Sequence, residues 1–111
     1  MSSYDHKEIN DIIHGRVRLA IMSYLASHRD DNHSDSEIAA GIDFTHLKNS
    51  INVSDGNLST HMRKLEEAGY LKVIKQFKDK RPQTLCQLTG KGLTAFKAYL
   101  SHLESLLPPK P

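Results

Sequence analysis

The sequence predicts a mainly α domain with a small β-hairpin, a winged helix-turn-helix with N- and C-terminal dimerisation helices. Three observations carry this reading. Two short runs, 43–51 and about 57–68, place apolar side chains every three or four residues and are joined by a polar turn at 52–56. Two stretches with strand alternation follow, around a basic turn at 78–82. Longer helical runs flank the unit at 7–28 and from Thr89 to about 107. At 111 residues the chain has the length of one domain, 1–111, with its core expected between about 9 and 107.

In the first run, Ile9, Ile12, Ile13, Val17, Ala20, Ile21, Tyr24 and Leu25 recur at helical spacing. Gly15 bends or splits this helix, since an interior Gly costs about 1 kcal/mol relative to Ala. Arg16 and Arg18 have two alternatives, a phosphate or the acids Glu8 and Asp11. Residues 29–36 contain no apolar side chain and predict an exposed loop, followed by a short helical turn at 37–40 that Gly41 ends. In the helix pair, Phe44, Leu47 and Ile51 face Leu58, Met62 and Leu65, with Ala68 continuing the second stripe. Gly69 stands where a left-handed helix cap is wanted.

Leu71-Lys72-Val73 alternates as a strand, Phe77 keeps the same parity, and 84–88 returns with Cys86 and Leu88 turned inward. Thr89 caps the last helix, which Pro108-Pro109 ends. On that helix Leu93, Phe96, Leu100, Leu103 and Leu107 form a narrow seam at spacings of 3, 4, 3 and 4. The seam either meets a second copy of the chain or packs on the N-terminal helix of its own. In the first case the dimer contact comprises Ile9, Ile12, Ile13, Leu93, Phe96, Leu100, Leu103 and Leu107.

The composition, 38% apolar and 25% charged, is that of a globular protein. No apolar run approaches the roughly 18 residues of a membrane span, and Met-Ser-Ser-Tyr-Asp-His lacks the pattern of an export signal. With a single cysteine, Cys86, no internal disulfide is available, and a cytoplasmic location is expected. Charge is unevenly placed. Residues 57–82 hold seven Lys or Arg against three acids, a net of +4 in a chain whose total is +2. A basic patch on an otherwise acidic chain is the footprint of a phosphate-binding face, although uneven surface charge alone also produces one.

A helix that enters the major groove reads bases with the short polar residues of its first turns. With a recognition helix at about 54–68, these are Ser54, Asp55, Gly56, Asn57, Ser59, Thr60 and Arg63. Asn57 suits adenine, Arg63 a guanine or a phosphate, Gly56 a close backbone approach, and Ser54 equally suits a helix cap. His61 flanks the apolar stripe and either packs on the scaffold or donates to a phosphate. In the wing at 77–84, Lys78, Lys80 and Arg81 suit backbone phosphates or the minor groove. His28, Asp30, Asp31, His33, Asp35 and Glu37 include metal-ligand types but lack ligand spacing, so they read as a solvated acidic loop. Cys86 reads as a core thiol. There is no Gly-rich phosphate loop, nucleophile triad or inward carboxylate pair, so no catalytic site, metal or cofactor is expected.

The run Asp55-Gly56-Asn57-Leu58-Ser59-x-His61-x-x-Lys64-Leu65-Glu66-Glu67-Ala68-Gly69-Tyr70 resembles the small winged-helix transcriptional regulators of the MarR/ArsR-like class. So do Lys75-x-Phe77, Pro82-x-Thr84, Leu88-Thr89-x-x-Gly92 and, upstream, Ile13-His14-x-x-Val17-Arg18-Leu19-x-Ile21-Met22. The resemblance spans roughly residues 9–107. It implies a homodimer, formed largely by the terminal helices, that binds double-stranded DNA at a pseudo-palindromic operator and represses. Two features depart from the class: the paired cysteines of metal-sensing ArsR-type repressors are missing, and the 29–36 loop is longer than expected. A protein-protein interaction module built on the same fold is the competing reading. A small-molecule effector or metal acting on the dimer is a third.

Overall fold

A computed structural model describes residues 9–28 and 41–107. The expected loop at 29–36, the turn at 37–40 and the Pro108-Pro109 stop lie outside the described residues. The order is α1 (Arg16–Ser27), β1 (Ile42–Asp43), α2 (Phe44–Ile51), α3 (Asp55–Glu67), β2 (Leu71–Lys78), β3 (Arg81–Leu88) and α4 (Gly90–Leu106). The three strands form one antiparallel sheet in the order β1-β3-β2.

The helical run expected at 7–28 is split at Gly15, one of the two outcomes its sequence allowed. The Asn10 carboxamide oxygen accepts the backbone N–H of Ile12 at 2.9 Å and of Ile13 at 3.2 Å, and the His14 N–H closes the turn on the Asn10 carbonyl at 2.8 Å. Gly15 then adopts φ 138°, a conformation that essentially only Gly takes without strain, and α1 starts one residue later. Arg18 donates at 3.5 Å to the backbone carbonyl of Asp11 rather than to its carboxylate.

The helix pair is closer-coupled than the sequence suggests. Asp43 caps α2 by accepting from the N–H groups of Thr45 (3.0 Å) and His46 (3.2 Å). Asn52 takes a left-handed φ of 56°, and Ser54 caps α3 by accepting from Asn57 N–H at 3.2 Å. Because Ser54 is the cap, α3 begins at Asp55 and the turn shrinks from the expected 52–56 to 52–54. Gly69, at φ 82°, ends α3 as expected: its N–H bonds Glu66 O and that of Tyr70 bonds Leu65 O, the paired pattern of a Schellman motif.

The wing is longer and tighter than expected. β2 and β3 pair without a bulge from Leu71–Leu88 out to Lys78–Arg81, leaving a two-residue turn at Asp79 and Lys80. Their φ values of 53° and 66° mark a type I′ turn, whose twist matches that of the strands it joins. The basic cluster and Pro82 had suggested a five-residue tip. Pro82 is tolerated within β3 because it opposes Phe77 in a non-hydrogen-bonded pair, so its missing N–H faces away from β2. On that other side β1 reaches only Leu85 and Cys86. β1 itself had no counterpart in the sequence reading. It approaches so closely that a Cβ at Gly41 would lie 2.7 Å from the Cys86 carbonyl oxygen.

One core joins all layers. Ile21, Met22 and Leu25 of α1, Leu47 of α2, and Leu58, Met62 and Leu65 of α3 meet Leu71, Cys86 and Leu88 of the sheet and Phe96 and Tyr99 of α4. α4 is docked through Thr89, whose hydroxyl accepts from Gly92 N–H at 2.9 Å and donates to Gly69 O at 2.7 Å. Gly92 is buried, and a Cβ there would collide with the Tyr70 carbonyl and the Leu88 side chain.

Candidate nucleic-acid interface

The stripe Leu58, Met62 and Leu65 faces the core and so orients the rest of α3 outward. Ser54, Asp55, Gly56, Asn57, Ser59, Thr60 and Arg63 are all exposed. Two of them already serve the scaffold. Ser54 is the α3 cap, and Asp55 forms a 2.9 Å ion pair with Lys48 of α2, where it also complements the positive end of α3. The side chains of Asn57, Ser59, Thr60 and Arg63 have no partner among the described residues. A Cβ at Gly56 would meet open space, so that position leaves backbone accessible on the outer face.

His61 sits half-buried between these two faces. Its Nδ1 is buried without a hydrogen-bond partner, as is Nε of Arg18. Burial, with Arg18 and Lys64 nearby, pushes the imidazole below its ordinary pKa and favours the neutral ring near pH 7. Of the two alternatives raised by the sequence, this environment fits packing on the scaffold better than donation to a phosphate as a cation.

The wing carries two differently furnished faces. By strand parity, Lys75, Phe77, Pro82 and Thr84 lie on the face that buries Leu71, Cys86 and Leu88, while Gln76, Lys78, Arg81 and Gln83 lie on the opposite one. Lys80 is at the tip. The outer face is anchored: Gln76 Nε2 donates to Gln83 Oε1 at 3.0 Å, and Gln83 Nε2 donates to Asp43 Oδ1 at 3.2 Å. This chain ties the wing to the cap of α2. Sequence reasoning missed it, because the Gln pair becomes visible only once the strand register is known. Burial acts to raise the Asp43 pKa, but hydrogen bonds from Gln83, His46 and Thr45 and the charge of His46 outweigh it and hold the carboxyl below its ordinary value.

The terminal residues proposed for dimer contact divide into three groups. Ile13 and Phe96 are buried in the chain's own core, and Ile9, Leu93 and Leu103 pack partly against it. Ile12, Leu100 and Leu107 stay exposed, at 39%, 45% and 65%. Part of the seam therefore packs within its own chain and part faces outward. His28 is the one member of the acidic-loop cluster among the described residues; its ring stacks on Tyr24 at 4.1 Å. Among the described residues no group of three or more His, Cys, Asp or Glu is placed to hold a metal. Burial pushes the Cys86 thiol up to about 12, with Glu66 adding to the effect, which keeps it a neutral core group. No helix among the described residues is long and apolar enough to cross a membrane.

Comparison with known proteins agrees with this geometry. A solved transcriptional regulator homologue from Pyrococcus horikoshii OT3 superposes with a TM-score of 0.78 at 28% identity, covering 96% of this chain and 94% of the other. The fold is shared with S. aureus MepR, solved as a DNA complex, at a TM-score of 0.60 and 16% identity, over 94% of this chain and 72% of that one. An uncharacterized protein of Methanocaldococcus jannaschii is 39% identical over 64 residues, 58% of this chain and 70% of its own length. Residues 17–107 match the family described as winged helix DNA-binding domain, and the chain belongs to that family.

Proposed function

We propose that this protein is a DNA-binding transcriptional regulator that acts as a homodimer and represses by occupying a pseudo-palindromic operator. In this reading α3 enters the major groove, with Asn57, Ser59, Thr60 and Arg63 at the base edges and Gly56 admitting close backbone approach. Lys78, Lys80 and Arg81 bind phosphates of the adjacent backbone or dip into the minor groove. The observation that carries the proposal is the outward face of α3: four short or planar polar side chains with no partner among the described residues, on a helix fixed by a Schellman cap, an N-cap and an ion pair. The exposed Ile12, Leu100 and Leu107 support contact between copies through the terminal helices.

The test is enrichment of genomic fragments on the purified protein, then footprinting of the enriched site at two salt concentrations. The expected footprint is two-fold, with half-sites about 34 Å apart. If each protomer makes three to five phosphate contacts, affinity falls roughly 10³- to 10⁵-fold between 50 and 200 mM salt. Weak, salt-insensitive binding to every duplex, from folded protein, would overturn the proposal in favour of a protein-protein interaction module.

A further inference from the structure

Phe77 is the most exposed of the large apolar side chains among the described residues, at 77%. Its parity suggests a core position, yet the hairpin carries it past the body of the domain. Directly opposite stands Pro82, in a non-hydrogen-bonded pair, the geometry that brings facing side chains closest. The two make a small apolar platform on the same sheet face as Leu71, Val73, Cys86 and Leu88, the face against which α3 packs. The platform is flanked by cations: Lys75 is next to Phe77 on the same face and Lys80 stands at the tip, while Lys78 and Arg81, the adjoining pair, turn to the opposite face. It is also held still, by the type I′ turn at one end and by the Asp43–Gln83–Gln76 chain on the reverse face.

An apolar surface with a cation on either side, Lys75 and Lys80, fits a partner that is anionic at its edges and apolar between them. The sugar-phosphate strand of duplex DNA has that make-up, with deoxyribose C–H faces between successive phosphates. We infer that Phe77, backed by Pro82, packs on the deoxyribose faces of the strand running between α3 and the wing tip, while Lys75 and Lys80 take its phosphates. The inference rests on the DNA-binding reading above and adds to it a residue and a contact type. The contact is blind to base identity, so it contributes to binding of operator and unrelated duplex alike. It involves no ion release, so it contributes nothing to the salt dependence.

Phe77→Ala, Phe77→Leu and Lys75→Ala are measured beside the unaltered protein on the enriched duplex and on an unrelated one, across a salt series. Phe77→Ala is expected to lose roughly tenfold to a hundredfold in affinity on both duplexes, about 1.4–2.8 kcal/mol. Its dependence of log K on log salt should match the unaltered protein. Phe77→Leu should keep most of the affinity, whereas Lys75→Ala should lower the salt slope by about 0.9. Hydroxyl-radical footprinting, which reports deoxyribose exposure, should show loss of protection at the wing in Phe77→Ala alone. Because Phe77 lies outside the core, an unchanged melting temperature serves as the folding control. If Phe77→Ala binds as tightly as the unaltered protein on a duplex the latter does bind, the sugar contact is wrong and the regulator reading stands. If the unaltered protein binds no duplex at low salt, both fall together.

Discussion

Asp43 holds three parts of the fold at once. It is a β1 residue opposite Leu85, the cap of α2 and the end of the chain that anchors the wing. Asp43→Ala removes the acceptor of two backbone N–H groups, a change that costs typically about 1 and up to about 2 kcal/mol. It also releases Gln83, a partly exposed contact that adds a few tenths of a kcal/mol at most after solvent screening. A domain of this size shifts its midpoint by roughly 4–8 °C per kcal/mol, so thermal unfolding followed by circular dichroism at pH 7 should show a drop of about 5–15 °C. Asp43→Asn retains a good capping oxygen and should stay within a few degrees of the unaltered protein.

The two variants also separate under acid. The folded pKa of Asp43 lies below its unfolded value near 3.8. Its contribution is therefore complete above that value and is lost as pH falls through the lower, folded one. Any advantage of the unaltered protein over Asp43→Asn should shrink as pH falls below about 3.8 and be gone once pH is below the folded value. An Asp43→Ala midpoint within 2 °C of the unaltered protein, or an Asp43→Asn loss as large as that of Asp43→Ala, would refute the capping argument.

Three further outcomes can be checked by similar means. Gly92→Ala should destabilise by about 1–3 kcal/mol, since its Cβ meets the Tyr70 carbonyl, whereas Gly56→Ala, in open space, should gain about 0.5–1 kcal/mol; denaturant titration separates them, and a reduced DNA affinity in Gly56→Ala would support close backbone approach there. Lys80→Gly relieves a left-handed non-Gly residue and should stabilise the hairpin by roughly 1 kcal/mol; if Lys80 binds a phosphate, the same variant lowers the salt slope by about 0.9. Folded His61 has a pKa below its unfolded 6.5, so the unfolded chain binds more protons between the two values and stability declines as pH drops below about 6.5. His61→Gln should flatten that part of the pH-stability curve relative to the unaltered protein, and identical curves would remove the assignment.

Local chemistry was legible from residue order alone. The spacings of Leu47, Leu58, Met62 and Leu65, the caps at Ser54 and Thr89, the Gly69 stop and the inward Cys86 and Leu88 each depend on neighbours within a turn or a strand, and all recur in the fold. The outward polar residues of α3 followed from the same periodicity, since burying one stripe of a helix decides which residues it turns to solvent. The Gly15 break was half-legible: Gly signals a weak point, but the turn that uses it is made by the Asn10 side chain.

The remaining features depend on groups far apart in the chain. β1 exists because Gly41 lets the backbone reach Cys86, 45 positions away, and the wing anchor exists because register places Gln76 against Gln83 and Gln83 near Asp43. Parity assigned Phe77 to the core side, but only the length of the hairpin beyond the body leaves it exposed. The terminal seam divides for the same reason. Helical spacing alone groups Ile13 and Phe96 with Ile12 and Leu100, and it is tertiary packing that buries the first two in the core and leaves the others in solvent. Periodicity specifies which residues want cover; the packing of distant elements decides which of them receive it.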